Sequence, residues 1–155
     1  MKPNIGIAES HAAEVCKLLN VLLADEILLY SRTRNSHWNV TGPAFSVLHK
    51  FFEEQYGLLA EMTDEVAERV RMLGGIAAGN LTTVVAASRL AEMKEEGGAM
   101  KMVLALLNDH ETIIRAVREN INEVNDTHKD AGTADFLTGI MAAHEKMAWM
   151  LRAHM

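Results

Sequence analysis

The chain has 155 residues, of which 49% are hydrophobic and 23% charged; this composition excludes a disordered chain and suits one globular domain. A net charge of −6 and a pI near 5.6 argue against a general affinity for nucleic acid, which takes a basic footprint. No apolar run approaches the ~18 residues that would span a bilayer, and Met1 to Cys16 has neither a basic arm nor an apolar signal core.

The hydrophobic period is helical throughout, with no alternation of strand type and no internal repeat. Val15, Leu18, Leu22 and Leu29 predict a first helix, roughly Ala8 to Ser36. Its single cysteine, Cys16, reads as a buried structural thiol and fits a reducing cytoplasm. Gly42-Pro43 breaks the chain. Phe45, Leu48, Phe52, Leu59, Met62, Val66, Val70 and Leu73 then mark one face of a second long helix ending at Gly74-Gly75. Within the connection 76–98, Leu81 to Glu92 suggests a short helix capped by Thr82 or Thr83. A third long helix follows Gly97-Gly98, and the polar segment Asn125 to Gly132 breaks it. A fourth starts near Thr133. Prolines stand only at positions 3 and 43, which leaves the helices unbroken, and the ten methionines read as flexible core filler. Four long helices with a long connection between the second and third predict an all-α, ferritin-like four-helix bundle, one domain over residues 1–155.

His37, near the end of the first helix, and His49, in the second turn of the next, fall at nearly the same height in an antiparallel hairpin. Glu53 lies one turn beyond His49. Asp64 and Glu68 share a face, but His49 and Asp64 are 15 positions apart, roughly 22 Å along a helix. Metal ligands must converge within bonds of about 2 Å, so one copy cannot close such a site. Two hairpins packed antiparallel about a two-fold axis can, each giving its histidines to the other's carboxylates. The spacing alone leaves plainer readings open: a histidine at a helix end as a cap or surface group, and Asp64 or Glu68 solvated or paired with Arg69 or Arg71.

The wording of the segment adds a resemblance. His37-Trp38-Asn39-Val40, Gly42, Phe45, Leu48-His49, Phe51-Phe52-Glu53 and Tyr56 resemble the signature of the Dps mini-ferritins. So does Asp64-Glu65-Val66-Ala67-Glu68-Arg69 with Leu73-Gly74, and the tail Thr133-Ala134-Asp135-Phe136-Leu137 with His144-Glu145-Lys146 is similar too. The resemblance runs over essentially the whole chain. It implies a hollow dodecamer built from two-fold dimers. Iron(II) would bind through His37 and His49 of one subunit and Asp64 and Glu68 of its neighbour, with Glu53 near a second iron position. It also implies oxidation of that iron, usually by hydrogen peroxide, and storage of ferric mineral inside the shell. Trp38, beside His37, is placed to exchange an electron or to pack at the interface. Asp126, Asp130 and Asp135 fall where the family lines its pores with carboxylates, which would concentrate cations.

Some members of that family bind DNA through a lysine-rich arm. Here Lys2 is alone at the front and the end offers Arg152 and His154, so DNA binding is expected to be weak or absent. A nucleoid-associated, DNA-protecting shell and a divalent-metal binder without redox turnover remain the alternative functions. No glutamate has a histidine three residues later, which argues against the di-iron centre that other ferritin-like bundles hold inside each subunit. The bundle interior is therefore expected to be plain apolar core, with His110 and His144 structural or at the surface.

Overall fold

A computed structural model describes residues 3–90 and 98–155. Helix α1 runs Glu9–Asn39, α2 Phe45–Met72, α3 Leu81–Ala87, α4 Ala99–Asn122 and α5 Ala131–Arg152. No strand occurs among the described residues. Helix α1 packs along α2 and α4 along α5, while α1 also touches α4 and carries the short α3. This is the bundle with one long connection that the periodicity predicts. The stripes meet in one core, in which Leu19, Leu22, Leu29, Phe52, Leu59, Val66, Leu106, Ile113, Leu137 and Leu151 are essentially inaccessible. Cys16 is buried among them, and burial pushes its thiol pKa up, as suits a structural thiol.

The Gly74-Gly75 pair ends α2 for a definite reason. Gly74 has φ +87, its N–H donates to the Arg71 carbonyl, and that of Gly75 donates to Val70. This is the Schellman pattern, which needs a residue in the left-handed region. A Cβ on Gly75 would stand 2.6 Å from the Cys16 sulfur, so the chain can pass α1 here only without a side chain. The connection that follows is tied to α1 by polar bonds. Asn20 donates to the Ile76 carbonyl and accepts from the Ala78 N–H, and buried Asp25 accepts from the Ser88 hydroxyl and from Arg89.

Several expectations need correction. The cap of α3 is Asn80, whose side chain accepts from the Thr82 N–H, rather than Thr82 or Thr83. Helix α3 ends at Ala87, and Glu92 and Gly97 lie outside the described residues. The segment expected to break the third helix does so only after Thr127, because Glu123–Thr127 continues it as a wider π-helical turn. Helix α5 then begins at Ala131, with Asp130 as its cap.

The largest correction concerns the interior. Glu26 on α1, His144 on α5 and His110 on α4 are all 0% exposed and form a chain across the bundle. His144 Nε2 lies 2.7 Å from Glu26 Oε1, and the two Nδ1 atoms of His144 and His110 lie 2.8 Å apart. Arg32 pairs with Asp109 at 2.7 Å nearby. The interior is thus a crossing of polar groups within an apolar bundle, and neither His110 nor His144 is at the surface.

Candidate metal centre

The short turn 40–44 joins α1 to α2 and sends the chain back along the same path. Val40, buried to 1% exposure, anchors this corner. His37 and His49 stack there with ring centroids 3.8 Å apart and planes 21° apart. Each fastens the other's main chain: His37 Nδ1 lies 2.8 Å from the His49 carbonyl, and His49 Nδ1 lies 2.9 Å from the His37 carbonyl. A carbonyl can only accept, so both Nδ1 atoms carry the proton. In the neutral rings both Nε2 atoms then hold a bare lone pair, the arrangement found in metal-ligating histidines, whose other nitrogen donates to a backbone or carboxylate oxygen.

Helix α2 is unbroken from Phe45 to Met72, so Asp64 and Glu68 stay roughly 22 Å or more down the helix from His49. Both carboxylates are exposed and, among the described residues, neither has a hydrogen-bond or ion-pair partner. Their basic neighbours are engaged elsewhere: Arg69 with Asp130 and Thr133, Arg71 with the Gly75 carbonyl. Glu53 is exposed one turn past His49. Among the described residues no three His, Cys, Asp or Glu side chains gather into a metal site within the chain. The two histidines and the two carboxylates therefore stand as separate pairs on one chain.

Around the histidines lies an aromatic shell of which the sequence showed only pieces. Tyr56 meets His37 edge-on at 5.3 Å, and Tyr30 meets Tyr56 at 6.0 Å. Arg34 donates to the Tyr30 hydroxyl and lies 5.1 Å over the ring of Trp38, which is itself 63% exposed. Tyr30, Arg34 and Trp38 recur every four residues on one face of α1, a signal present in the sequence once the face is known.

The three aspartates expected at a pore are not placed alike. Asp126 and Asp135 are exposed. Asp130 is 3% exposed, accepts from the Thr133 N–H and hydroxyl, and pairs with Arg69 at 3.3 Å. Its carboxylate is spent on capping α5 and holding α2 to that corner.

A family model for the ferritin-like domain matches residues 16–155. A DNA protection during starvation protein of Bacillus anthracis is 36% identical over 90% of this chain and 95% of its own. The chain belongs to the Dps family of ferritin-like proteins. A low temperature-induced protein of Nostoc is 45% identical over 97% of this chain and 84% of its own. Among solved structures, Dps from Bacillus brevis superposes with a TM-score of 0.88 at 35% identity, covering 94% and 97% of the two chains. DpsC from Streptomyces coelicolor superposes with 0.95 at 28% identity, covering 99% and 90%. The Dps fold thus extends over all four long helices, with no helix among the described residues long and apolar enough to cross a membrane.

Proposed function

We propose that two copies of this chain pack antiparallel across a two-fold axis, so that His37 and His49 of one meet Asp64 and Glu68 of the other. Each dimer then carries two sites that bind iron(II) as substrate, with Glu53 beside a second iron position. The observation that supports this most is that the Nε2 atoms of His37 and His49 and the carboxylates of Asp64 and Glu68 all lack partners among the described residues, and an unbroken α2 keeps the two pairs too far apart to serve the same ion. Two imidazoles and two carboxylates accept iron(II), and carboxylates favour the harder ferric product. Exposed Ile76, Leu81 and Val85 around α3 supply an apolar patch suited to burial between subunits.

Hydrogen peroxide takes two electrons as its O–O bond breaks, and each iron(II) gives one. Two irons oxidised together therefore consume the peroxide without releasing a hydroxyl radical. Twelve chains in a hollow shell would keep the ferric mineral inside, fed through openings lined by Asp126 and Asp135. Asp130 serves that corner by holding its shape. Trp38 and the Tyr30–Tyr56 pair stand close enough to His37 to share in electron transfer. A buried lone cysteine suits work in the reducing cytoplasm. The name of such relatives, DNA protection during starvation protein, fits removal of iron and peroxide better than coating of DNA here, because a net charge of −6 per chain repels a polyanion.

The test has two parts. Native mass spectrometry is expected to give a dodecamer; a monomer would remove the shared site. Anaerobic iron(II) followed by peroxide is expected to yield ferric colour rapidly. Binding of iron(II) without oxidation would favour a divalent-metal holder without redox turnover.

A further inference from the structure

The corner between α4 and α5 combines several uncommon features. The helix widens into the π turn at Glu123–Thr127, a geometry often found at functional sites. Lys129 has φ +56, the one positive φ among the described non-glycine residues, and such backbone is held in place by its surroundings. Between them His128 is only 7% exposed, yet neither of its ring nitrogens has a hydrogen-bond partner. Buried imidazole nitrogens without partners are costly and call for an explanation.

The distances supply one for Nε2. Glu123 Oε1 stands 3.6 Å from His128 Nε2, too long for a hydrogen bond. Two donor atoms on one tetrahedral ion with bonds of about 2.1 Å stand roughly 3.4 Å apart. The ring of His11, from the first turn of α1, meets that of His128 edge-on with centroids 5.4 Å apart. Two imidazoles on one tetrahedral ion have centroids roughly 5 Å apart. His11 is half-buried and, among the described residues, no hydrogen bond holds its ring in this orientation. Glu14 follows it by three residues on the same face, near enough to His128 that its carboxyl pKa, lowered chiefly by Lys17, is lowered slightly by that imidazole as well.

We propose that His11, His128 and Glu123 form a second metal site, inside one subunit, for a zinc-like divalent cation, with a fourth position open to Glu14 or water. Among the described residues no such cluster is preformed, so binding would require the His11 ring to turn toward His128 and Glu123. Two imidazoles and a carboxylate are a common zinc donor set. The ion performs no redox step. It ties the start of α1, whose cap residue Ala8 offers no side-chain bond, to the corner that leads into α5.

The experiment titrates the full assembled protein carrying Asp64→Asn and Glu68→Gln with cobalt(II), so that the carboxylate half of the shared centre is silent. The expected result is one cobalt per chain with the strong visible absorption of tetrahedral coordination, displaced by zinc and raising the melting temperature. His11→Ala and His128→Gln each lower the affinity at least tenfold. Alanine is a better helix former than histidine, so loss of binding in His11→Ala with unchanged circular dichroism reports the site and not unfolding. His11→Ala in the otherwise native chain leaves peroxide-driven iron oxidation unchanged, which separates this site from the shared one. Absence of cobalt binding in the background protein, or affinity unaltered by His11→Ala, overturns the proposal.

Discussion

His37 and His49 face each other at the hairpin corner; His110 and His144 face each other at the centre of the bundle. In the first pair both Nδ1 protons go to backbone carbonyls, and both Nε2 atoms are left for something outside the chain. In the second pair the rings bond to one another through Nδ1, and His144 closes on Glu26. The difference follows depth. A polar group in the core depends on partners from the chain itself, because water and ions do not readily reach it. A group at a corner can keep bonding capacity in reserve. Two facing histidines thus keep free acceptor nitrogens in one place, where a binding site is proposed, and form a strut in the other.

The largest effect that would sharpen this contrast comes from the hairpin. His37→Ala combined with Asp64→Ala is expected to slow peroxide-dependent iron oxidation by more than about 100-fold, since even outer-shell losses reach 10- to 100-fold. The melting temperature should shift by no more than about 5 °C. Stopped-flow absorbance and thermal melts of the same preparation would check both halves. A variant that oxidises iron at the native rate would break the comparison.

Next comes the strut. Glu26→Leu leaves His144 Nε2 buried without its acceptor, at an expected cost of about 3 kcal/mol, or roughly 10 °C in melting temperature for a chain of this size. The shell that does fold should oxidise iron normally. Native-like melting of Glu26→Leu would mean the central chain of bonds carries no weight.

A smaller effect depends on pH. Burial, and then the charge of His144, hold the His110 pKa well below its ordinary value of 6.5. The unfolded chain takes up a proton near 6.5 and the folded one does not. Stability is therefore full above about pH 6.5 and falls as the pH drops below it, by up to about 1.4 kcal/mol per unit. Only one proton fits between the facing Nδ1 atoms, so a second drives the rings apart. Melting curves between pH 8 and 5 should show this slope, and a flat profile would contradict it.

The smallest effect separates the aspartates. Asp130→Ala removes the cap of α5 and should cost about 1 kcal/mol, a few degrees of melting. Asp126→Asn and Asp135→Asn should leave melting unchanged and slow iron uptake most at low salt, where the field of the carboxylates is least screened. Equal melting losses in all three would erase the distinction.

The fold was legible because its signals are local: apolar stripes of helical period, a Gly-Pro break and a Gly-Gly stop. The histidine corner was legible for the same reason, since a short turn brings His37 and His49 level. Glu26 left only a faint mark, an acid in line with Leu22 and Leu29 on the buried stripe. Its partner His144 lies 118 positions away, and no local pattern announces such a pairing. The π turn was hidden as well, because widening a helix by one residue changes neither composition nor period appreciably. Asp130 read like Asp126 and Asp135 because an acid before a helix serves equally as a cap or as a surface charge. Only burial tells them apart.

The mutual grip of His37 and His49 on each other's main chain means that this bend is already fastened without any bound ion. Loading at the proposed site would ask for no refolding there, only a change in what meets the free nitrogens. If the proposed shell forms, walls built from such bends would keep their shape through repeated filling and draining.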